Sequence, residues 1–446
     1  MMLIDVALPI SSNETFVYSV PRKFEDGIEV GKRVFVPFGN RKAIGYIVGK
    51  GKKSQDFEVK EIIDILDENP LFNKKKLEFF KWISDYYMSS IGIVLKFAHP
   101  SGLGKSLKKV VKLTKHGKSN INSENIYPFK KQILNALSIE ESLSVERILN
   151  IIDEIKFEDL NSLFRRKFIE LDYEVVENEK IKYEKLYSSI SDIDKIPYLK
   201  KKKPAKGLIL EFIHNHSRVS HHELKELFGN LNQHIKWLQE NKLIKCELKE
   251  ISRDPFKNYE LKVDSENKLT PDQENVFDQI KKSIKAKKYS SFLLHGVTGS
   301  GKTEIYLRAI KEVLLMKKQA LVLVPEISLT PLLVSRFRAR FGDRVVVIHS
   351  QLSEGDRFDA WRRANRGDVD IIIGARSAIF APVNKLGIIV VDEEHENTYK
   401  EGQNPFYNAR DLALVLGNMN NCPVILGSAT PSLESYSNTI NGKYRY

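Results

Sequence analysis

Gly296-Val-Thr-Gly-Ser-Gly-Lys-Thr303 sets glycines, one ammonium and one hydroxyl at the spacing G-x4-G-K-T. Such a run can wrap a phosphate. Its glycines let backbone N–H groups turn inward, and the helix that follows offers the positive end of its dipole. Gly296, Thr298, Gly299, Ser300, Gly301, Lys302 and Thr303 are therefore candidate nucleotide contacts, with Lys302 reaching the β- and γ-phosphates and Thr303 ligating Mg²⁺. A second group, Asp392-Glu-Glu-His395, closes the apolar run Ile388-Ile-Val-Val391. An acid ending an apolar strand is the Walker B arrangement: Asp392 holds the metal, and Glu393 orients and deprotonates the attacking water. Lys302, Asp392 and Glu393 are thus the candidate catalytic groups, and Thr303 and Asp392 the candidate metal ligands. Gly427-Ser-Ala-Thr-Pro-Ser432 supplies small hydroxyls, Ser428 and Thr430, suited to sensing a γ-phosphate. Upstream, Leu269-Thr-Pro-Asp-Gln273 places an amide, Gln273, where an adenine edge could be read. ATP and Mg²⁺ are the cofactors this set implies.

These residues need strands to end at the right places. Phe292–Leu294, Ala320–Pro325, Val345–His349, Ile371–Gly374, Ile388–Val391 and Val424–Gly427 are Val/Ile/Leu-rich runs separated by helical stretches. That alternation predicts parallel strands buried on both faces, an α/β lobe over 266–446 with its chemistry at the strand C-terminal ends. The first hundred residues read differently. Thr15–Val20, Lys32–Pro37, Ala43–Val48 and Glu58–Leu66 are β-branched and aromatic, bounded by Gly27, Gly31, Gly39 and Gly49. A helix with a buried aromatic face follows over Lys74–Ser90. This β-rich module occupies 1–105.

Residues 106–178 read as short helices running into Leu163-Phe-Arg-Arg-Lys-Phe-Ile-Glu-Leu171. The order repeats weakly about 75 positions later, closing on Leu238-Gln-Glu-Asn-Lys-Leu-Ile-Lys245. Both fit a winged-helix-like plan, the second copy and its linkers filling 179–265. Lys200-Lys-Lys-Lys-Pro204 reads as a solvated linker. His214, His216, His221 and His222 lack the spacing and partners of a metal site.

Lys and Arg number 71 against 58 Asp and Glu, a net charge of +13 that favours a polyanionic partner. Two cysteines suggest neither a disulfide framework nor a four-ligand zinc site. No apolar run is long enough to span a membrane, and the N-terminus lacks a signal-peptide pattern. A cytoplasmic protein is expected.

Taken in order, these motifs resemble superfamily 2 DNA helicases, and more narrowly the replication-restart family of primosomal protein N′, PriA. The resemblance is carried by Gly296–Tyr306, Leu323-Val-Pro-Glu-Ile-Ser-Leu-Thr-Pro331, His349-Ser-Gln-Leu-Ser-Glu-Gly-Asp-Arg357, Gly374-Ala-Arg-Ser-Ala-Ile-Phe-Ala-Pro382, Asp392–His395 and Gly427–Ser432. Val6-Ala-Leu-Pro9, Val36-Pro-Phe-Gly39 and Asp85-Tyr-Tyr87 extend it to the N-terminus. It implies a fold that is multidomain, α/β and α+β: a β-rich module for a DNA 3′ end, winged-helix-like segments, then a RecA-like P-loop lobe with a parallel sheet. It further implies an ATP-dependent helicase that recognises stalled or branched forks and restarts replication through primosome assembly.

By the same resemblance, Pro325, Glu326, Thr330, Arg376 and Ser377 line a single-strand track. Tyr399, Phe406, Tyr407 and Arg410 form an aromatic-rich loop, and His395 joins Ser428 and Thr430 in coupling. Phe16, Gly39 and Lys60 match the 3′-end pocket. Val17 stands where the family has an acid, and an apolar side chain cannot accept a bond from a terminal 3′-OH. The second winged-helix-like segment also departs from the family plan. Branched and single-stranded DNA, replication-restart proteins and single-strand-binding proteins are the implied partners, with a bacterial, nucleoid-associated location. A paired-cysteine zinc region and a second motor lobe would follow Tyr446. An arginine from that lobe is worth ~10³–10⁵ in rate in related nucleotide hydrolases. These residues alone are therefore expected to bind ATP and DNA but hydrolyse and unwind poorly. Another P-loop DNA translocase, or a non-catalytic fork-binding fragment, remains open at this point.

Overall fold

Alternating β-branched residues at the N-terminus build a five-stranded antiparallel sheet in order β2-β1-β4-β3-β5. Its strands are β1 (Met2–Ala7), β2 (Phe16–Val20), β3 (Arg33–Phe38), β4 (Arg41–Lys50) and β5 (Asp64–Ile65). This is a computed structural model. It describes residues 2–39, 41–52, 59–100, 105–121, 128–144, 147–148, 157–177, 182–190, 194–251, 253, 266, 268–326 and 331–446. The chain divides into two units, residues 1–179 with 256–446, and residues 180–255.

Strand β1 is not among the expected elements, yet it lies inside the sheet, paired with both β2 and β4. The expected strand at 58–66 is reduced to β5 among the described residues. The helix expected over 74–90 ends at Tyr86, and a second helix, Ile91–Ala98, follows a turn. Gly92 must be glycine there: a Cβ would stand 1.8 Å from the Leu8 carbonyl oxygen. Helix Lys74–Tyr86 also reaches the C-terminal lobe. Its Lys76 ammonium donates to the carbonyls of Ile379 (3.2 Å) and Ala381 (3.3 Å).

In the next segment β6 (Lys105–Leu113) pairs with β7 (Leu143–Ser144) and β8 (Ile169–Glu177). The unit at 180–255 has the same plan, with β9 (Tyr183–Ser189) flanked by β10 (Val219–Ser220) and β11 (Ile244–Glu250). The repeat extends to backbone detail. Lys167 and Lys242, 75 positions apart, both take positive φ (58° and 55°) to end a helix before the last strand. The four lysines read as a linker are instead structured. Helix Lys195–Lys202 runs through three of them, and Lys203 and Lys206 lie over the Trp237 ring at 4.1 and 4.5 Å. The two ammonium groups sit on the ring as cation–π partners.

The last lobe is a parallel six-stranded sheet in order β12-β17-β16-β13-β15-β14. Its strands are β12 (Ser290–His295), β13 (Gln319–Leu323), β14 (Val345–Ile348), β15 (Ile371–Gly374), β16 (Leu386–Val391) and β17 (Pro423–Ser428). Every residue of β13 to β17 is buried, the signature of a sheet covered on both faces. With its helices this is a RecA-like arrangement. Strand β17 lies between β12 and β16, so three loops converge at neighbouring strand ends. No helix among the described residues is long and apolar enough to cross a membrane.

Candidate functional site

The phosphate loop joins β12 to helix Lys302–Leu315. Gly299 and Gly301 take φ of 82° and 87°, left-handed values that glycine alone adopts without strain. A Cβ on Gly296 would stand 2.6 Å from Ser300 Oγ. The Lys302 ammonium donates to the Gly296 carbonyl at 2.7 Å and lies 4.0 Å from Glu393 Oε1. Thr303 follows in the first helical turn, half-buried, and Thr298 is exposed at the loop tip.

Gln273 is bonded within the protein. Its Oε1 accepts from the Thr270 N–H at 3.0 Å in a capping box, and its Nε2 donates to the Ser300 carbonyl at 2.8 Å. Each end of the amide makes one bond, so Gln273 braces the phosphate loop.

Asp392, directly after β16, receives the Tyr306 hydroxyl on Oδ1 at 3.0 Å. The Tyr399 hydroxyl donates to the Asp392 carbonyl at 2.5 Å and to the Leu323 carbonyl at 3.1 Å. Burial raises the Asp392 pKa above the usual carboxylate value, and the Tyr306 bond opposes that rise. Burial likewise drives the Tyr306 hydroxyl well above the ordinary tyrosine range, so it remains a donor. Glu393 turns the chain with φ of 46°, an αL conformation that costs a non-glycine residue roughly 1–2 kcal/mol. Such strain collects at functional sites.

Glu394 and His395 tie this loop to β17 and the segment that follows it. Glu394 is 1% exposed and accepts from Ser432 N (2.7 Å), Ser435 Oγ (2.7 Å), Ser432 Oγ (3.0 Å) and Arg410 Nη1 (3.2 Å). His395 Nδ1 and Ser428 Oγ are 2.7 Å apart, and the same hydroxyl oxygen accepts from Thr430 N–H at 3.0 Å. Lys302, Glu393, Asp392, His395 and Ser428 are thus brought together at adjacent strand ends.

The DNA candidates fare unevenly. Tyr399 and Tyr407 are 1% and 0% exposed, so neither ring offers a face to a base, whereas Phe406 is 57% exposed. Tyr407 packs edge-on to Phe97 and Phe380. Its aromatic character serves the core. Arg410 is bound to Glu394 and Asp411, and hence holds the lobe together where a phosphate contact was expected. Arg376 pairs with Glu401 at 3.0 Å and donates to the Lys400 carbonyl at 3.1 Å. Pro325 is buried, Ser377 is half-buried, and exposed Glu326 accepts from the Ser350 hydroxyl. Thr330 lies outside the described residues. In the N-terminal module, Phe16 packs edge-on to Phe38 at 5.2 Å, exposed Gly39 has φ of 57°, and the Lys60 carbonyl accepts from Ser19 N–H at 2.9 Å. The four histidines at 214–222 find separate partners: Ser189, Phe212, Tyr187 and Glu226.

Sequence reasoning left Tyr306, Glu394 and Gly427 without roles. Tyr306 falls in a helix of apolar spacing, where a tyrosine reads as core. A glycine inside an apolar strand does carry a signal, since it marks close approach of another group.

The sheet, the loop and the acids define the nucleotide-binding lobe of a helicase. Residues 270–439 match the DEAD/DEAH box helicase family, and residues 5–100 match the 3′DNA-binding domain family. Replication restart protein PriA of Bacillus subtilis is 34% identical over 453 residues, covering 99% of this chain and 54% of that protein. The Haemophilus influenzae protein of the same name is 32% identical over 454 residues, covering 100% of this chain and 51% of that protein. That of Chlamydia pneumoniae is 51% identical over 177 residues, 40% of this chain and 24% of that protein. The chain is similar to PriA proteins along its whole length, and it spans about half the length of the curated relatives it matches.

Proposed function

We propose that this chain is the ATP- and DNA-binding portion of a DNA helicase that acts at branched or forked DNA in replication restart. The observation that carries the reading is the convergence of Lys302, Asp392 with Glu393, and Ser428 at the ends of three neighbouring strands. The donor set fits a magnesium nucleotide: a glycine loop, one ammonium, a hydroxyl and a carboxylate with Oδ2 unused by Tyr306. Thr303 and Asp392 would hold the metal, which neutralises charge on the phosphates when bound. Lys302 moves its ammonium from the loop carbonyls to phosphate oxygens. Glu393, beside it, orients the attacking water and takes its proton. His395 and Ser428 report the phosphate state to the segment after β17.

The N-terminal module is assigned to a DNA end, with Phe16, Gly39 and Lys60 as its pocket and Val17 weakening any demand for a free 3′-OH. The segments 106–178 and 179–265 are read as winged-helix-like domains. Within the lobe, exposed Phe406 is the stacking candidate of its loop. Arg376 reaches a phosphate only by leaving Glu401. Replication-restart and single-strand-binding proteins as partners, zinc beyond this chain, and a cytoplasmic, nucleoid-associated setting belong to the same proposal.

The test is binding of a fluorescent ADP analogue, and of forked against blunt DNA, by wild type and Lys302→Ala. Loss of nucleotide binding in the variant, with a fork preference retained, is expected. Equal nucleotide affinity in both proteins would refute the reading.

A further inference from the structure

Tyr306 does more than fill the core. It is 2% exposed, one turn past Lys302, and its hydroxyl meets Asp392 Oδ1 at 3.0 Å. To do so it occupies the place of a side chain on the strand between. A Cβ at Gly427 would stand 1.6 Å from the Tyr306 hydroxyl oxygen and 3.4 Å from Asp392 Oδ1. A phenylalanine would fill the same apolar volume without burying a hydroxyl, and a buried hydroxyl is costly unless bonded. The bond to Asp392 offsets that cost. Asp392 is meanwhile held from its backbone, its N–H donating to the Leu323 carbonyl at 2.9 Å and its carbonyl accepting from Tyr399. The carboxylate rotation is left to fix; the Glu393 backbone N–H bonds the carboxylate from the same loop, and Tyr306 is the side chain hydrogen-bonded to it.

We propose that Tyr306 is the positioning residue for the metal-binding carboxylate. By occupying Oδ1 it sets the rotation of Asp392 and leaves Oδ2 to meet magnesium, directly or through a bound water. Gly427 is glycine because the hydroxyl passes where its side chain would be. This rests on the nucleotide-site reading above. Partners of this kind, which orient a metal ligand without touching the metal, typically contribute 10–100-fold to metal affinity.

The experiment measures binding of fluorescent ADP to the chain in excess EDTA and across a magnesium titration, for wild type, Tyr306→Phe and Gly427→Ala. The EDTA affinity of Tyr306→Phe should stay within about twofold of wild type, while the magnesium concentration for half-maximal tightening rises roughly 10–100-fold. Gly427→Ala, which displaces the hydroxyl from the other side, should reproduce the magnesium shift. A Tyr306→Phe titration overlaying wild type would overturn the proposal. So would an equal loss of affinity in EDTA and in magnesium, the mark of a packing role alone. Lys302→Ala in EDTA is the separate control: undiminished binding there would sink the nucleotide-site reading itself.

Discussion

Acidification should loosen the packing around His99, and the size of the effect can be worked out. The imidazole is 9% exposed, with ring centroids of Phe72, Tyr46, Phe80 and Trp361 between 5.5 and 6.1 Å away. Its Nδ1 lies 2.6 Å from the Leu95 carbonyl, which fixes the proton on that nitrogen in the neutral ring. Burial lowers its pKa from 6.5 to about 4; the Leu95 bond opposes the fall, as does Asp67, while Arg33 and Lys76 add to it. The unfolded chain therefore takes up a proton near pH 6.5 that the folded chain refuses until about pH 4. Over that window the unfolded state binds more protons, so stability falls as pH is lowered and is flat with respect to this group above 6.5. Lowering a pKa by one disfavours the charged form by about 1.4 kcal/mol, so the fall to about 4 amounts to roughly 3 kcal/mol once partial relaxation of the site is allowed for. The assay is urea unfolding of the 446-residue chain at pH 8, 6.5, 5 and 4.5, followed by tryptophan fluorescence with Trp361 as the local reporter. His99→Gln, neutral at every pH, should be less stable than wild type at pH 8 but lose less on acidification. Parallel pH profiles for the two proteins would refute the argument.

Two further outcomes follow from the same geometry. Glu394→Ala takes away one of the two carboxylates that pair with Arg410 and leaves the Ser432 N–H and the Ser435 hydroxyl without their buried acceptor, so a loss of about 3 kcal/mol is expected, read by thermal melting. Gln273→Ala removes both the capping bond and the brace on Ser300. It should cost about 1 kcal/mol of stability and weaken nucleotide binding several-fold, measured by melting and by fluorescent-ADP titration.

What the sequence revealed depended on whether burial alone decides a residue's place. The parallel sheet was legible because runs such as Ile371–Gly374 and Ile388–Val391 are apolar on both faces and admit no other placement. Strand β1 was not: Met2–Ala7 carries Asp5 and gains its identity only from β2 and β4 on either side. The phosphate loop and the acidic turn were legible because glycine spacing and a strand-ending acid are themselves the chemistry. Tyr399, Tyr407, Arg410 and Gln273 have protein partners that the sequence did not show, for one shared reason. Each is amphipathic or multivalent, able to face either a ligand or the protein, and sequence spacing carries no information on which partner lies nearer.

The two halves of the nucleotide site differ in how firmly they are held, and this decides what each substitution does. Asp392 is pinned by the sheet, by Tyr399 at its carbonyl and by Tyr306 at its carboxylate. Lys302 is hydrogen-bonded to carbonyls of its own loop, at 2.7 Å from Gly296 and 3.4 Å from Val297, with the Glu393 carboxylate farther off at 4.0 Å. Those are charge-to-neutral bonds. A phosphate oxygen carries charge of its own and lies within reach of the same flexible stem, so exchange of partners is favourable when a nucleotide arrives. Removing the ammonium therefore subtracts more from binding than from folding. Lys302→Ala should lose nucleotide affinity with its melting temperature close to wild type, while substitutions on the pinned side, Tyr306 and Glu394 among them, change how the metal is met or how well the lobe holds.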